Sequence, residues 1–331
     1  MNPRPRIGIV GLGFGARIAE RLRAGDLFDV AAVCDPVRPA PPGVPAIGLD
    51  ELLARTDIKA VGLFTPPAGR AALVRRIIRA GKHVMTTKPF ELDPEAAADV
   101  LAEARALGRA VHLNSPAPVL PADLAQIARW RSEHRLGDPV TASAQVWTSY
   151  HERADGRWYD DPDRCPVAPV LRLGVYLVND LVALLGPAAT VQVTSSRLRT
   201  GRPTPDTAQL SVSFAGGALA TVQASFCVDD GQRFGSRLTV AYTGGVVTRR
   251  STVASPVGNP VLDLTAPDGV AASVTTPGGS GDYQWDVFRR AVLDGPPDES
   301  AYHRAIVAGV RVLEAMARAE RSSRAERVAV P

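Results

Sequence analysis

Cysteine and aromatic side chains are scarce in this chain of 331 residues: there are three Cys, and Phe, Trp and Tyr together make up 5%. Cys34, Cys165 and Cys227 are odd in number and lack metal-ligand spacing, which argues against a disulfide framework and fits a reducing compartment. No other His, Cys or carboxylate cluster falls at ligand spacing, so no metal is expected. Long apolar runs are missing too. No window reaches the ~18 residues needed to span a bilayer, and the opening MNPRPRIGIVG lacks the apolar stretch of a secretory signal. A cytoplasmic protein without membrane contact is the expectation. Charges of one sign are not gathered into blocks: 38 basic and 34 acidic residues are interspersed, for a formal net charge of +4. That balance argues against a nucleic-acid partner and leaves a weak preference for anionic small ligands.

What is present is enough apolar material for a large core. With 45% apolar residues, the chain has room for two domains of ~150 residues each. From residue 6 to about 118, short apolar runs (Ile7–Val10, Val30–Cys34, Ala60–Phe64, His83–Thr86, Ala110–Leu113) alternate with amphipathic stretches, which predicts βαβ units and a parallel sheet. Helices are expected from Ala16 to the stop at Gly25 and from Arg70 to Gly81. A third is expected where Asp93 caps, Pro94 takes the first position and Gly108 ends DPEAAADVLAEARALG. After residue 138 alternating strands take over. TAQLSVSF and ALATVQASF flank a glycine turn and predict a hairpin, so an antiparallel sheet is expected. Val170–Leu185 reads as an apolar helix, and two further helices, Tyr283–Leu293 and Tyr302–Ala319, close the chain.

The run Gly11-Leu12-Gly13-Phe14-Gly15-Ala16 follows a strand and opens a helix. Gly11, Gly13 and Ala16 match G-x-G-x-x-G/A: the first glycine permits the tight turn, the second lets backbone reach a pyrophosphate, and the small third residue lets helix and strand pack closely. The next strand ends in Asp35, near the spacing expected of a carboxylate that accepts a ribose 2′-hydroxyl. A dinucleotide-binding Rossmann domain over residues 1–118 follows. Asp35 favours NAD, because a 2′-phosphate would meet its charge. Arg38, three residues on, offers that phosphate a partner and keeps NADP open. Should Asp35 merely cap the turn, the preference disappears.

With these elements in place, the chain resembles the glucose-fructose oxidoreductase, inositol dehydrogenase and MocA family. The matching segments are Thr65-Pro66-Pro67, Ala80–Val84, Lys88-Pro89, Leu173–Tyr176 and Gly281–Gly295. The resemblance implies an α/β protein: a Rossmann domain, then an α+β domain over 119–331 with an open, mostly antiparallel sheet. That second domain would hold the substrate site and mediate assembly into a homodimer or homotetramer, and the C-terminal helices would pack back on the first. It also implies NAD or NADP as cofactor, touched by Gly11, Gly13, Phe14, Gly15, Asp35, Arg38, Thr65, Pro66, Lys88 and Asn114. Chemistry would take place at the carbonyl or hydroxyl of a sugar, cyclitol, sugar nucleotide or related polar metabolite.

The family motifs are altered here. Thr87 replaces the Glu of Glu-Lys-Pro, Arg70 stands where a His commonly follows Thr-Pro-Pro, and PVAPVLRLGVYLVND replaces Gly-Gly-x-Leu-x-Asp-x-Gly-x-His-x-x-Asp. The Asp thereby becomes Arg172, the His becomes Tyr176 and the last Asp becomes Asn179, with Asp180 one position beyond. Lys88 and Tyr176 are the expected catalytic pair, the ammonium stabilising phenolate so that the tyrosine can act as general acid or base. Packing of Tyr176 with Leu173 and Leu177 is the alternative. Arg172 would favour an anionic substrate, or else pair with Asp161 or Asp163. Asn179, Asp180 and Trp158 complete the expected substrate-binding set, Trp158 in a polar and aromatic loop with His151, Glu152, Arg157 and Tyr159. His112 is expected to be a satisfied core histidine. An oxidoreductase is the leading expectation. The alternatives are a regulatory or non-redox dinucleotide-binding member and a lyase-like use of held NAD.

Overall fold

The computed structural model describes residues 4–150, 153–253, 259–267, 269, 271–322, 324, 326 and 327, so His151 and Glu152 lie outside the described residues. The chain divides into two compact units: residues 1–119 with 283–304, and residues 120–282 with 305–331. The long C-terminal helix starts in the first unit and continues in the second.

The first unit runs β1 (Arg6–Val10), α1 (Leu12–Ala24), β2 (Asp29–Cys34), α2 (Leu49–Ala54), β3 (Ile58–Leu63), α3 (Arg70–Arg79), β4 (His83–Thr86), α4 (Pro94–Ala106) and β5 (Val111–His112). All strands are parallel, in the order β2-β1-β3-β4-β5. An isolated parallel bridge, Val33 to Ala46, adds a residual strand outside β2. Counting that bridge, the order becomes 3-2-1-4-5-6, that of the doubly wound dinucleotide-binding sheet. The strands are apolar on both faces, as helices on both sides require: Ile7, Ile9, Ala60, Val61 and Val84 are fully buried. Asp93 caps α4, accepting from the amides of Glu95 and Ala96 at 2.9 and 3.1 Å. Helix α1 starts at Leu12, four residues earlier than the apolar spacing suggests, because the glycine turn is itself its first turn. Helix α2 carries too short an apolar stripe to be read from the sequence.

The second unit opens with α5 (Ala122–Glu133), also without a clear sequence signal, and β6 (Pro139–Trp147). After a short 3₁₀ turn at Trp158–Asp160, the expected helix over 170–185 proves to be two pieces: a π-helical turn, Val170–Gly174, running into α6 (Val175–Leu185). Strands β7 (Ala188–Ser196), β8 (Thr207–Phe214), β9 (Leu219–Ser225), β10 (Phe234–Tyr242), β11 (Gly245–Val253), β12 (Val261–Thr265) and β13 (Ala271–Thr275) follow. Helices α7 (Trp285–Asp294) and α8 (Ser300–Ser322) and the short β14 (Glu326–Arg327) end the order. The nine strands lie as β13-β12-β11-β10-β6-β9-β8-β7-β14; β6 and β9 are parallel and the remaining pairs antiparallel. β8 and β9 form the expected hairpin. Alternation splits the sheet into an apolar face (Ala144, Leu210, Val222, Val240) and a polar one, on which Gln145, Gln223 and Gln209 are hydrogen-bonded side by side.

Within the first unit, α7 covers the sheet from the other end of the sequence. Phe288 and Ala291 join Ile7, Ile9, Leu12, Ile18, Phe28 and Phe64 in one core, with Tyr283 and Trp285 at its margin.

Candidate active site

In the first unit the sequence-expected cofactor residues gather at the carboxyl ends of the parallel strands, where open α/β sheets bind ligands. Gly11–Gly15 follows β1, Asp35 and Arg38 follow β2, Thr65 and Pro66 follow β3, Lys88 follows β4 and Asn114 follows β5. The three glycines have different reasons to be glycine. Gly11 has φ 86°, and a Cβ there would lie 2.8 Å from the carbonyl of Phe64. A Cβ on Gly15 would come within 3.0 Å of Ile9 and Phe64, so Gly15, and not Ala16, is the close contact between helix and strand. On Gly13 a Cβ would meet, among the described residues outside its own helix turn, nothing nearer than Arg38 Nε at 3.9 Å. Chain packing therefore does not require a glycine at position 13, whereas close approach of a pyrophosphate does. Thr65 Oγ1, buried and without a hydrogen-bond partner among the described residues, is a second group suited to a ligand. These features fit a dinucleotide.

Asp35, the expected ribose acid, is engaged by the chain itself. Its Oδ2 accepts from the Leu12 amide at 2.6 Å, at the start of α1, and its Oδ1 from the amides of Val37 and Arg38 at 2.9 and 2.8 Å. Partial burial works to raise its pKa, but the three amides and the Arg38 charge outweigh it and hold the carboxyl below its ordinary value. Asp35 thus caps the turn, as in the alternative reading, while Arg38 is exposed beside Gly13. Phe14 is 37% exposed, stacked on Tyr283 and edge-on to Phe64.

Asn114, 2% exposed, uses Oδ1 to accept from the Lys88 amide at 3.0 Å and the Thr87 hydroxyl at 3.3 Å. It fixes the turn that carries Lys88, whose peptide bond to Pro89 is cis. On the other side of this turn lies Arg70, 1% exposed. Its guanidinium donates to the carbonyls of Thr87 at 2.6 Å and Phe90 at 3.2 Å, and to those of Pro89 and Thr65. Burial pulls its pKa down to about 10 against the opposing charges of Glu91 and Tyr283. Glu91 caps α3, accepting from Gly69 and Ala71 amides at 3.1 and 2.8 Å. Spacing in the sequence gives no sign that Arg70 reaches these carbonyls. His112 is buried as a core histidine, but satisfied at one nitrogen only: Nε2 pairs with Glu299 at 2.5 Å, while Nδ1 has no hydrogen-bond partner among the described residues.

In the second unit, every residue from Cys165 to Leu181 is buried except Arg172 and Tyr176, which are partly exposed and four apart. Arg172 sits in the π-helical turn, a feature frequent at functional sites. Its guanidinium carbon lies 4.1, 4.8 and 4.9 Å from the ring centroids of Tyr159, Tyr150 and Phe226. Three aromatic faces therefore hold its charge in place. Trp158 packs on Tyr159, centroids 4.3 Å apart. The Tyr176 ring lies against Gly281, where φ is 106° and a Cβ would be 3.0 Å from the ring edge.

Two of the expected substrate ligands are buried in the second unit. Asp180 is 1% exposed; its Oδ2 pairs with Arg249 at 2.6 Å and its Oδ1 accepts from Ser280 Oγ at 2.5 Å. Arg249 also pairs with Asp123 at 2.7 Å, and Asp123 accepts from the Ser280 amide at 3.3 Å. Burial, helped by the Asp123 charge, pushes the Asp180 pKa up against the pull of Arg249. The network anchors Ser280, next to the Gly281 that touches Tyr176. Asn179, 7% exposed, points its Oδ1 at Gly309 on α8. Both point inward because their helix is buried nearly all round. Among the described residues, no group of three His, Cys, Asp or Glu could hold a metal, and no helix is long and apolar enough to cross a membrane.

Known proteins agree with this architecture. Residues 5–115 match the oxidoreductase family, NAD-binding Rossmann fold, and residues 124–248 match the GFO/IDH/MocA C-terminal domain. An uncharacterized oxidoreductase of Schizosaccharomyces pombe is 31% identical over 145 residues, 43% of this chain and 38% of that protein. Galactose 1-dehydrogenase of Pseudomonas fluorescens is 36% identical over 90 residues, 25% of this chain and 29% of that protein. The matches thus span well under half the length of these curated relatives. Among solved structures, a protein from Desulfitobacterium hafniense provisionally assigned as an NADPH-dependent oxidoreductase superposes with a TM-score of 0.83 at 17% identity, covering 99% of this chain and 98% of that one. A 3-ketoreductase from Actinomadura kijaniata, in complex with NADP and TDP-benzene, gives 0.74 at 20% identity over 95% of this chain and 97% of its own. Identities this low speak for the fold alone, but the two sequence-level domain matches cover well over half of the chain, which belongs to the GFO/IDH/MocA family of NAD(P)-binding oxidoreductases.

Proposed function

We propose that the chain moves a hydride between a nicotinamide dinucleotide and a carbonyl or hydroxyl of a negatively charged sugar, cyclitol, sugar nucleotide or related polar metabolite. The observation that carries the substrate side is the pairing of Arg172 and Tyr176 as the two open positions of an otherwise buried segment. A guanidinium held among three rings is a cation fixed in place, and a fixed cation one turn from Tyr176 favours an anionic substrate. One helical turn on, the Tyr176 hydroxyl would give a proton to the carbonyl oxygen in reduction and take it back in oxidation. The dinucleotide, when bound, supplies the redox chemistry.

In the first unit, Lys88 would donate to the nicotinamide ribose and the reacting oxygen, on a backbone held by Asn114 and Arg70. Lone pairs left on Asp35 would take the ribose 2′-hydroxyl of NAD. With Asp35 engaged in capping the turn and Arg38 exposed to pair with a 2′-phosphate, both cofactors should bind, without a preference set by Asp35. The name of the Pseudomonas protein, a galactose dehydrogenase, supports a sugar-type substrate, and the TDP-benzene in the Actinomadura 3-ketoreductase complex is in keeping with a nucleotide-linked one. The polar face of the second sheet, with its glutamine ladder, is the surface we assign to homodimer or homotetramer contacts.

The test is a screen of keto-sugars, uronates and sugar nucleotides by nicotinamide absorbance, followed by Tyr176→Phe. That variant should lose about 10²-fold in turnover, the scale of a positioned general acid, with cofactor affinity unchanged. Near wild-type turnover would remove Tyr176 from the chemistry. Cofactor that binds but is never reduced by any substrate would favour a regulatory, non-redox role.

A further inference from the structure

We infer that Arg70 is a positioning residue for the cofactor site, a buried clamp that locks the turn carrying Lys88 to the loop after β3. The inference deepens the role proposed for Lys88 and rests on it in part. One guanidinium donates to the carbonyls of Thr87, Pro89 and Phe90 in the turn after β4, and to that of Thr65 in the loop after β3. Two of these carbonyls flank Lys88, and the Lys88 amide is held from the other side by Asn114 Oδ1 at 3.0 Å. Backbone on either side of Lys88 is thereby fixed, while Lys88 itself stays partly exposed next to the fully enclosed Pro89 and Phe90. Both loops leave the carboxyl edge of the sheet, where β3 and β4 are paired, and beyond the strands Arg70 ties Thr65 to the carbonyls on either side of Lys88.

A planar fork suits this task and an ammonium does not. Arg offers five N–H donors in a fixed geometry, whereas Lys is a point charge on a flexible stem and cannot reach four carbonyls in two loops at once. The Glu91 carboxylate sits on the amides on either side of Arg70, those of Gly69 and Ala71, and so fixes the backbone from which the arginine reaches. Thr87 and Arg70 both depart from the usual family residues. In this chain the support of the lysine turn comes from backbone carbonyls gathered on one cation, with no neighbouring carboxylate in the Thr87 position.

Arg70→Lys keeps the charge and removes the fork; Arg70→Gln is the second variant, should burying the ammonium prevent folding. Backbone amide exchange, reduced-cofactor titration and kcat are compared with Lys88→Met. Exchange of the Lys88 amide should speed up at least ~10-fold in Arg70→Lys, with Val84 and Met85 of β4 unchanged. The dissociation constant for reduced cofactor should rise ~10-fold and kcat fall by a similar factor at unchanged substrate KM. A lowered melting temperature with cofactor affinity and kcat intact would make Arg70 merely structural and overturn the inference, as would unchanged exchange at Lys88. An impaired Lys88→Met beside a normal Arg70→Lys likewise overturns it and leaves Lys88 standing. The reverse pattern removes the role of Lys88 and supports Arg70 acting through Thr65.

Discussion

Replacing Gly13 with alanine should raise stability and lower cofactor affinity in the same molecule. Gly13 lies in the first turn of α1, is not among the glycines with positive φ, and outside its own helix turn leaves an added Cβ no described atom nearer than Arg38 Nε at 3.9 Å. An alanine there removes backbone entropy from the unfolded chain, and about 0.5–1 kcal/mol of stabilisation is expected, a gain of ~1–3 °C in melting temperature. For the cofactor the sign reverses. The added methyl would hold the pyrophosphate off the helix-start amides, and losing one charge-assisted hydrogen bond costs about 2 kcal/mol, or roughly 30-fold in the dissociation constant. Gly11→Ala provides the contrast: its Cβ would sit 2.8 Å from the Phe64 carbonyl at φ 86°, so it should destabilise the fold itself. Scanning calorimetry and titration with reduced cofactor on both variants would measure the two effects separately. If Gly13→Ala bound cofactor as the wild type does, or melted as low as Gly11→Ala, the cradle would have been assigned to the wrong turn.

Two further outcomes concern buried charge. Arg249→Met strips the counter-ion from Asp123 and Asp180 and should cost about 3–5 kcal/mol, lowering the melting transition by about 10 °C; a drop under about 3 °C would show that the network is solvated. On acidification the first unit should lose stability in two windows. Burial, reinforced by Arg109 and His112, holds the His83 pKa at about 4 against 6.5, so between those values the unfolded chain takes up a proton that the folded one refuses. Burial works to raise the Glu299 pKa, yet hydrogen bonds from His112 and His303 bring it to about 2 against 4.5, so its contribution is complete above 4.5 and lost as pH falls toward 2. Each is on the order of 3 kcal/mol. Denaturant midpoints against pH should show Glu299→Gln flattening only the lower window; an unchanged profile below pH 4.5 would refute the assignment.

Local rules sufficed wherever a residue answers to its own segment. Alternating apolar runs placed all five parallel strands, and Asp93-Pro94 began α4 where expected, because caps and periodicity are properties of neighbours along the chain. The glycine turn after β1 and the acid after β2 could be read for the same reason, since a strand–turn–helix unit dictates its own loop, whereas Thr65, Pro66 and Lys88 were read from the family resemblance. The hairpin of β8 and β9 was likewise written in its alternation and its turn.

Partners distant in sequence were decided only by tertiary structure. Asp180 reads as a site acid one step from its motif, yet Arg249 claims it from 69 residues away. Arg70 reads as a missing histidine, yet its guanidinium gathers carbonyls from two loops. The aromatic cage around Arg172 draws on Tyr150, Tyr159 and Phe226, which no spacing connects. That α7 belongs to the first unit and that α8 passes from the first into the second is equally invisible in their apolar spacing. Propensity and periodicity are summed over adjacent residues and survive in the sequence as a signal. A buried charge, by contrast, is settled by whichever remote group can satisfy it, and only the folded chain brings that group within hydrogen-bonding distance.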